Sequence, residues 1–370
     1  MMGLPLENRL TALDAFRGLT IAGMILVNTP GSWSYIYPPL RHADWIGCTP
    51  TDLVFPFFLF IVGVAMWYSF KKFDHKPTPQ VWKKIVKRAA LIFLIGLLLR
   101  AFPFYEIDLA TFRIMGVLQR IAVAFLLGAI VCMSVPKKYL HWVAGAILIG
   151  YWGLLAFFGG DDPYSLEGNI ARQIDLAIFG EAHVWHGFGI AFDPEGLVSS
   201  IPAVATVIIG FLIGSYIDRT KLQRPALSSL VAIGTIGVGL GIVWGQSFPI
   251  IKGLWTSSYV VYTAGLATLL LTFFLWLIDI KGYKKWAQPL VVFGMNPLFI
   301  FALSGIIIRV LGMIKLGSGP GTISLRGAIY NELAAVFGEM NGSLGFALLY
   351  VGLHWLIASW MFRKKIFIKV

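Results

Sequence analysis

The chain reads as an all-α polytopic membrane protein, a bundle of about ten transmembrane helices with both termini in the cytoplasm. Three observations predict it. Hydrophobic residues make up 58% of the 370 positions and charged residues only 13%, against about 25% charged in a soluble domain. Mean hydropathy is +0.78. The 13 Trp, 13 Tyr and 28 Phe suit aromatic belts at the membrane interfaces.

A spanning helix needs about 20 mostly apolar residues. Such segments lie near 10–29, 50–70, 86–103, 112–133, 139–158, 197–217, 226–245, 256–279, 288–312 and 344–362. The start shows no separate cleavable signal pattern, so the first segment is expected to be a retained span. The loops set the orientation. Lys71, Lys72, Lys76, Lys83, Lys84, Lys87 and Arg88 follow the second span, and Lys137 and Lys138 the fourth. Arg219, Lys221 and Arg224 follow the sixth, Lys281, Lys284 and Lys285 the eighth, and Arg363, Lys364, Lys365 and Lys369 the tenth; Arg9 precedes the first. The opposite loops hold only Arg41, Arg172, Lys252, Lys315 and Arg326. Basic residues gather in cytoplasmic loops, so both termini are expected inside. The net charge of +12 is thus an orientation signal, and nucleic acid is excluded as a partner. Residues 30–49, 159–196 and 313–343 fall outside and carry most of the acidic residues. The stretch 322–340 has helical spacing with charges throughout and reads as a surface helix. No internal repeat is visible, and the chain reads as one domain. Cys48 and Cys132 fall near opposite faces, which argues against a disulfide, and no cysteine spacing suits a metal.

Ionisable groups inside spans are costly and are functional candidates. They are Asp14, Arg17, Asp52, Arg113, Arg120, Arg309 and His354, with Arg100 at a helix end. Asp14 and Arg17 are three apart and share a helix face, which fits an intrahelical ion pair or an anion site at Arg17. Arg120 lies too deep to reach an interface and needs a buried anion or a string of carbonyls. His354 suits a hydrogen bond between helices better than catalysis. His183 and His186 have a spacing that zinc can use but lack a third ligand, so no metal is expected. Asn296 before Pro297 interrupts the ninth span, and Asn28, Pro30 and Gly31 end the first; broken helices predict a polar cavity within the bundle.

The block "RLTALDAFRGLTIAGMILVN", followed by "HADWIGCTPTDLVFPFFLFIVG", resembles the heparan-α-glucosaminide N-acetyltransferase family of transmembrane acyltransferases, bacterial relatives included. Further matching blocks are "RIMGVLQRIAVAF", "FDPEGLVSSIPA", "GLWTSSYVVYTAG" and "FGMNPLFIF", in family order. The resemblance implies acetyl transfer from cytoplasmic acetyl-CoA to a sugar amine, glucosamine or a terminal glucosaminide, across a bacterial inner membrane. The family's active histidine lies in the block H-x-x-W-x-G-x-T-x-x-D-L-V-x-P, which makes it His42, and the asparagine closing the first span corresponds to Asn28. The loop between them is slightly longer than in the animal enzymes, and no counterpart of their extra N-terminal luminal region is expected. The family's dimers put a homodimer among the expected partners.

That chemistry needs a base for the amine proton, and imidazole suits it. Asn28 is expected to donate to the oxyanion. Asp44 or Asp52 is expected to orient His42, with helix capping as the alternative for Asp52. Cys48 offers a rival acyl-enzyme route, and an acetyl-histidine intermediate stays open. Arg17, Arg113 and Arg120 are the expected contacts for acetyl-CoA. Asp44, Trp45, Asp193, Glu195 and Trp255 are those for the acceptor, with Trp33 and Trp185 as further stacking candidates. The competing functions are an amino-sugar transporter and an O-acyltransferase of cell-envelope glycans.

Overall fold

A computed structural model describes residues 10–317 and 321–368. Arg9 and Lys369, both used for the orientation, lie outside them. In chain order the helices are α1 (Thr11–Asn28), α2 (Pro50–Lys71), α3 (Pro79–Ala101), α4 (Val117–Ser134), α5 (Leu140–Phe158), α6 (Ile170–Phe179) and α7 (Ser200–Thr220). There follow α8 (Arg224–Trp244), α9 (Ser257–Phe274, continued as a π-turn over Leu275–Ile280), α10 (Gln288–Met295), α11 (Pro297–Met313), α12 (Leu325–Phe337) and α13 (Glu339–Arg363). The described β-structure is a two-residue antiparallel pair, Lys315–Leu316 with Ile323–Ser324, and an isolated bridge from Gly47 to Ile251.

Every one of the ten expected segments carries a helix. Seven are long and apolar enough to cross a membrane alone, and the bent pair α10–α11 makes eight. α1 and α3 are not among them. The first carries Asp14 and Arg17, and the second opens on Lys83, Lys84, Lys87 and Arg88. The protein is a multi-pass membrane protein with at least seven such helices. The charged stretch 322–340 does form a helix, α12, capped by Ser324, whose hydroxyl accepts from Gly327 N at 3.0 Å.

The contacts divide the chain into two units. Of the described residues, the first comprises 10–42, 49–55, 274–317 and 321–368. Its centre is α1 against α10, and here the backbones touch. A Cβ on Gly18 would sit 1.7 Å from the carbonyl oxygen of Leu290, and one on Gly294 2.0 Å from that of Asp14. Close approach through small residues is the usual basis of helix packing in lipid, where burial of apolar surface supplies little drive. The start of α1 has no cap from its own neighbours. Asp279 provides one from the end of α9, accepting from Thr11 N at 3.2 Å and Ala12 N at 3.1 Å.

The break between α10 and α11 bends the pair by 84°. Pro297 has no N–H, and it frees the turn at Asn296. Asn296 is buried and holds the chain's end, donating to Ile366 O at 2.9 Å and accepting from Ile368 N at 2.8 Å. The C-terminal segment satisfies the broken turn.

The second unit comprises residues 43–48 and 56–273. α3 packs on α4, and α7 packs on both α4 and α5. Over one end of these helices an apolar cluster gathers Tyr151, Leu155, Ala171, Phe192, Val198, Phe248, Ile251 and Leu254. The long segment 159–196 is thereby a folded cover, with α6 started by Asn169, whose side chain accepts from Arg172 N at 2.8 Å.

The close approach of α1 and α10 predicts that Gly294→Ala lowers stability by about 1–3 kcal/mol through overpacking. Gly312→Ala, in α11 with open space around it, should be neutral or gain up to about 1 kcal/mol. Thermal unfolding of the purified protein in detergent compares them; equal midpoints would refute the contact.

Candidate active site

The segment after α1 is tied down within the first unit. Gly31 N and Ser32 N donate to the backbone and side chain of Ser343, each at 3.1 Å, and Arg326 donates to Pro30 O at 3.0 Å. Tyr37 donates to Asn341 Oδ1 at 2.6 Å. Near its end, Arg41 Nε donates to Ile36 O, and Thr49 Oγ1 donates to Arg41 O at 2.7 Å. The backbone beside His42 is thus held from both ends. The anchors Arg326, Ser343 and Asn341 lie some three hundred positions along the sequence, where nothing local marks them.

His42 Nδ1 lies 2.6 Å from Asp52 Oδ1. The His42 side chain is 46% exposed and the Asp52 side chain 1%. Asp52 is the third residue of α2, and its Oδ2 accepts from both the backbone N and the Oγ1 of Thr49, each at 3.0 Å. This is half of a capping box, the third helical residue reaching back to the residue before the helix. The two readings of Asp52, orienting group and cap, are both true of one carboxylate. Because a carboxylate accepts only, the Nδ1–H of neutral His42 donates, and the lone pair is placed on Nε2.

Asn28 closes α1 and is exposed, and its amide makes no hydrogen bond among the described residues. Arg17 donates to Asp14 Oδ1 at 3.1 Å and to Gly294 O at 3.3 Å. The intrahelical pair is present, and it also reaches α10. His354 departs from expectation: its Nδ1 meets Tyr350 O at 2.8 Å, one turn back on its own helix, and its buried Nε2 has no partner.

Trp33 is exposed in the first unit, and the remaining expected donor and acceptor contacts belong to the second. Asp44 is exposed, and Trp45 donates from Nε1 to Tyr164 O at 2.8 Å while packing edge-on against Phe188 and Phe192. Arg113 is held by both acidic candidates. Its Nε and Nη2 grip Asp193 at 2.8 and 2.6 Å, and Nη2 also meets Glu195 at 2.6 Å. Burial opposes the Arg113 charge, yet the two carboxylates hold its pKa above the ordinary value. Burial likewise opposes the Glu195 charge, and Arg113 with Arg120 keeps that carboxyl below its ordinary pKa.

Arg120 is 0% exposed. It donates to Ser199 Oγ, to Ser200 Oγ at 3.3 Å and to Gly196 O at 3.5 Å, and its guanidinium stacks 4.9 Å from the Trp255 ring. Hydroxyls and a carbonyl satisfy it where an anion or carbonyls alone were expected. Trp255, fully buried, donates from Nε1 to Thr206 Oγ1 at 3.3 Å. Arg113 and Arg120 both act on the turn 193–200, as does Asp175, which accepts from Leu197 N and Val198 N. The repeated serines of "LVSS" just before a span were the sequence signal for Arg120's partners. His183 Nδ1 bonds Phe112 O at 2.9 Å. Among the described residues Cys48 and Cys132 form no disulfide, and no group of three or more His, Cys, Asp or Glu is placed to hold a metal ion.

The fold and site define a multi-pass helical membrane protein with a carboxylate-bonded histidine just before a span. A family model described as heparan-alpha-glucosaminide N-acetyltransferase, catalytic, matches residues 9–241. The chain belongs to that family. The match contains Asn28, His42, Asp52, Arg113, Arg120, Asp193 and Glu195, and it ends before Trp255. The mouse heparan-alpha-glucosaminide N-acetyltransferase is 28% identical over 351 residues, covering 80% of this chain and 53% of the relative. The human protein of the same name is 27% identical over 353 residues, covering 80% and 52%. The chain spans about half the length of these curated relatives.

Burial raises the Asp175 carboxyl from 3.8 to about 6, against the pull of its backbone donors. The folded state therefore holds that proton between about pH 4 and 6 while the unfolded chain releases it. Stability from this group is present below about pH 4 and falls as pH rises through 6. Asp175→Asn keeps an acceptor for Leu197 and Val198 and removes the titration. Its thermal midpoint should lose the decline from pH 4 to 6.5 that the parent shows; parallel profiles would refute the assignment.

Proposed function

We propose that the protein is an acetyltransferase that moves an acetyl group from acetyl-CoA on the cytoplasmic side to the amine of glucosamine, or of a terminal glucosaminide, on the periplasmic side of a bacterial inner membrane. The observation that carries the reading is the 2.6 Å contact between His42 Nδ1 and a buried Asp52, in a chain of this family. The basic loops support a cytoplasmic mouth for the donor's phosphates and cytoplasmic termini, because cations there favour both.

The amine reaches the site uncharged and attacks the thioester carbonyl. The C–N bond forms, and His42 Nε2 takes the proton from the amine nitrogen. Asp52, already accepting from Nδ1–H, stabilises the imidazolium so formed; it acts as a positioning residue. The carbonyl oxygen gains negative charge, and the side-chain amide of Asn28 is suited to donate to it. Collapse breaks the C–S bond, and the imidazolium returns the proton to the departing thiolate. Arg17, held by Asp14 and Gly294 O, serves the donor at the inner end of α1. Asp44, Trp45 and the Asp193–Glu195 pair serve the acceptor side, the latter through Arg113 and the turn it holds.

Proteoliposomes with the cytoplasmic face inward test the reading. With labelled acetyl-CoA inside and glucosamine outside, N-acetylglucosamine should appear outside; intact glucosamine accumulating inside would instead mark a transporter. His42→Ala and Asp52→Asn should each lower kcat by about 10²–10⁴-fold, and Asn28→Ala by about 10²–10³-fold. Unchanged turnover in His42→Ala would overturn the assignment of the base.

A further inference from the structure

Helix α13 packs on α1 and α10 within the first unit and is tied to it at both ends. Near its start Ser343 receives the backbone of Gly31 and Ser32, in the loop that leads to His42. Past its end Ile366 and Ile368 are held by Asn296, two residues on from Gly294, whose carbonyl Arg17 grips. The helix therefore runs alongside the interval between Arg17 and the loop after Asn28. At a rise of about 1.5 Å per residue, His354 lies roughly 16 Å along α13 from Ser343, inside that interval.

Three buried polar groups on this part of α13 have no hydrogen-bond partner among the described residues: His354 Nε2, Trp355 Nε1 and Ser359 Oγ. Tyr350, one turn before, shows the contrast, since its hydroxyl donates to Ser304 O on α11 at 2.6 Å. Polar atoms inside a span have no water to turn to, and leaving them unpaired is costly. The chemistry of the three is specific. His354 Nδ1 faces Tyr350 O at 2.8 Å, so Nδ1 carries the proton and Nε2 can only accept. Trp355 Nε1 can only donate, and the Ser359 hydroxyl does either. Trp355 and Ser359 are one turn apart on one stripe of the helix, and His354 stands beside it. An anion would meet the lone pair of Nε2. An N–H for the imidazole and a C=O for the indole are what a slender chain with amides in sequence supplies.

We propose that His354, Trp355 and Ser359 form a track for the amide-bearing arm of the acyl donor, the pantetheine chain, with His354 Nε2 accepting the amide N–H nearer the sulfur. That the ligand is the donor rests on the acetyltransferase reading. The order along the first unit agrees with it: Arg17 serves the phosphates, the three α13 groups the arm, and Asn28 and His42 the thioester. The α13 groups are binding residues, and none acts on the reacting carbonyl.

The test is isothermal titration of the protein in phosphatidylcholine nanodiscs with coenzyme A and with an ester analogue, in which oxygen replaces the amide N–H nearer the sulfur. The parent protein should bind coenzyme A about five- to tenfold more tightly than the analogue, the scale of one neutral hydrogen bond. His354→Ala should cut that preference to less than about twofold. His354→Gln, which keeps an acceptor, should retain part of it, and this separates loss of the acceptor from loss of the fold. Trp355→Phe should weaken both ligands alike, by about threefold or more, because its partner carbonyl is present in each. His42→Ala should leave the preference intact. Equal binding of the two ligands to the parent, or a preference that survives His354→Ala, overturns the track and leaves the acetyltransferase reading standing. If coenzyme A does not bind the parent at all, both fall. If the His354-dependent preference is found and glucosamine is not acetylated, the acceptor assignment falls and the track stands.

Discussion

A single buried carboxylate organises the chemistry of this chain. Asp52 has one oxygen on His42 and the other on the residue that begins α2. A carboxylate near the first turn of a helix is favoured by the orphan N–H groups and the helix dipole. The same group therefore caps the start of a spanning helix and fixes the histidine's tautomer. The start of α2 and the proton transfer proposed for His42 thus share one hydrogen-bonded unit, so a change at Asp52 is expected to alter both.

The arginines follow a second rule, that a cation removed from water must find donors' complements nearby. Arg17 uses a carboxylate one turn away and a carbonyl of α10. Arg113 uses two carboxylates; Arg120 uses hydroxyls, a carbonyl and the face of an indole. Arg113, Arg120 and Asp175 converge on residues 193–200, which makes that turn a rigid cross-brace at the head of α7.

The sequence made some of this visible and hid the rest for definite reasons. All ten helical segments were legible because apolar runs punctuated by lysines carry that signal locally. The expected spans α1 and α3 fall outside the helices apolar enough to cross, since their charges lower the hydropathy that the length alone suggests. His42 and Asp52 share a block of known spacing, so their partnership was within reach, although two roles were treated as alternatives where one side chain fills both. Asp279 capping α1, Arg326 and Ser343 holding the loop before His42, and the C-terminal chain filling the break at Asn296 join residues far apart in sequence. Periodicity contains no trace of such pairings. The break itself was legible from Pro297, whereas the partners of its freed turn, Ile366 and Ile368, were not. At His354 a ring nitrogen bonds the nearest carbonyl of its own helix before reaching a neighbour.

The tautomer of His42 is the most direct test of the central claim. With histidine labelled by ¹⁵N, magnetic resonance of the protein in nanodiscs, assigned by comparison with His42→Ala, reports which ring nitrogen of the neutral side chain is protonated. The account predicts a proton on Nδ1 in the parent protein and its loss from that position in Asp52→Ala. A neutral His42 protonated on Nε2 while Asp52 is intact would contradict it.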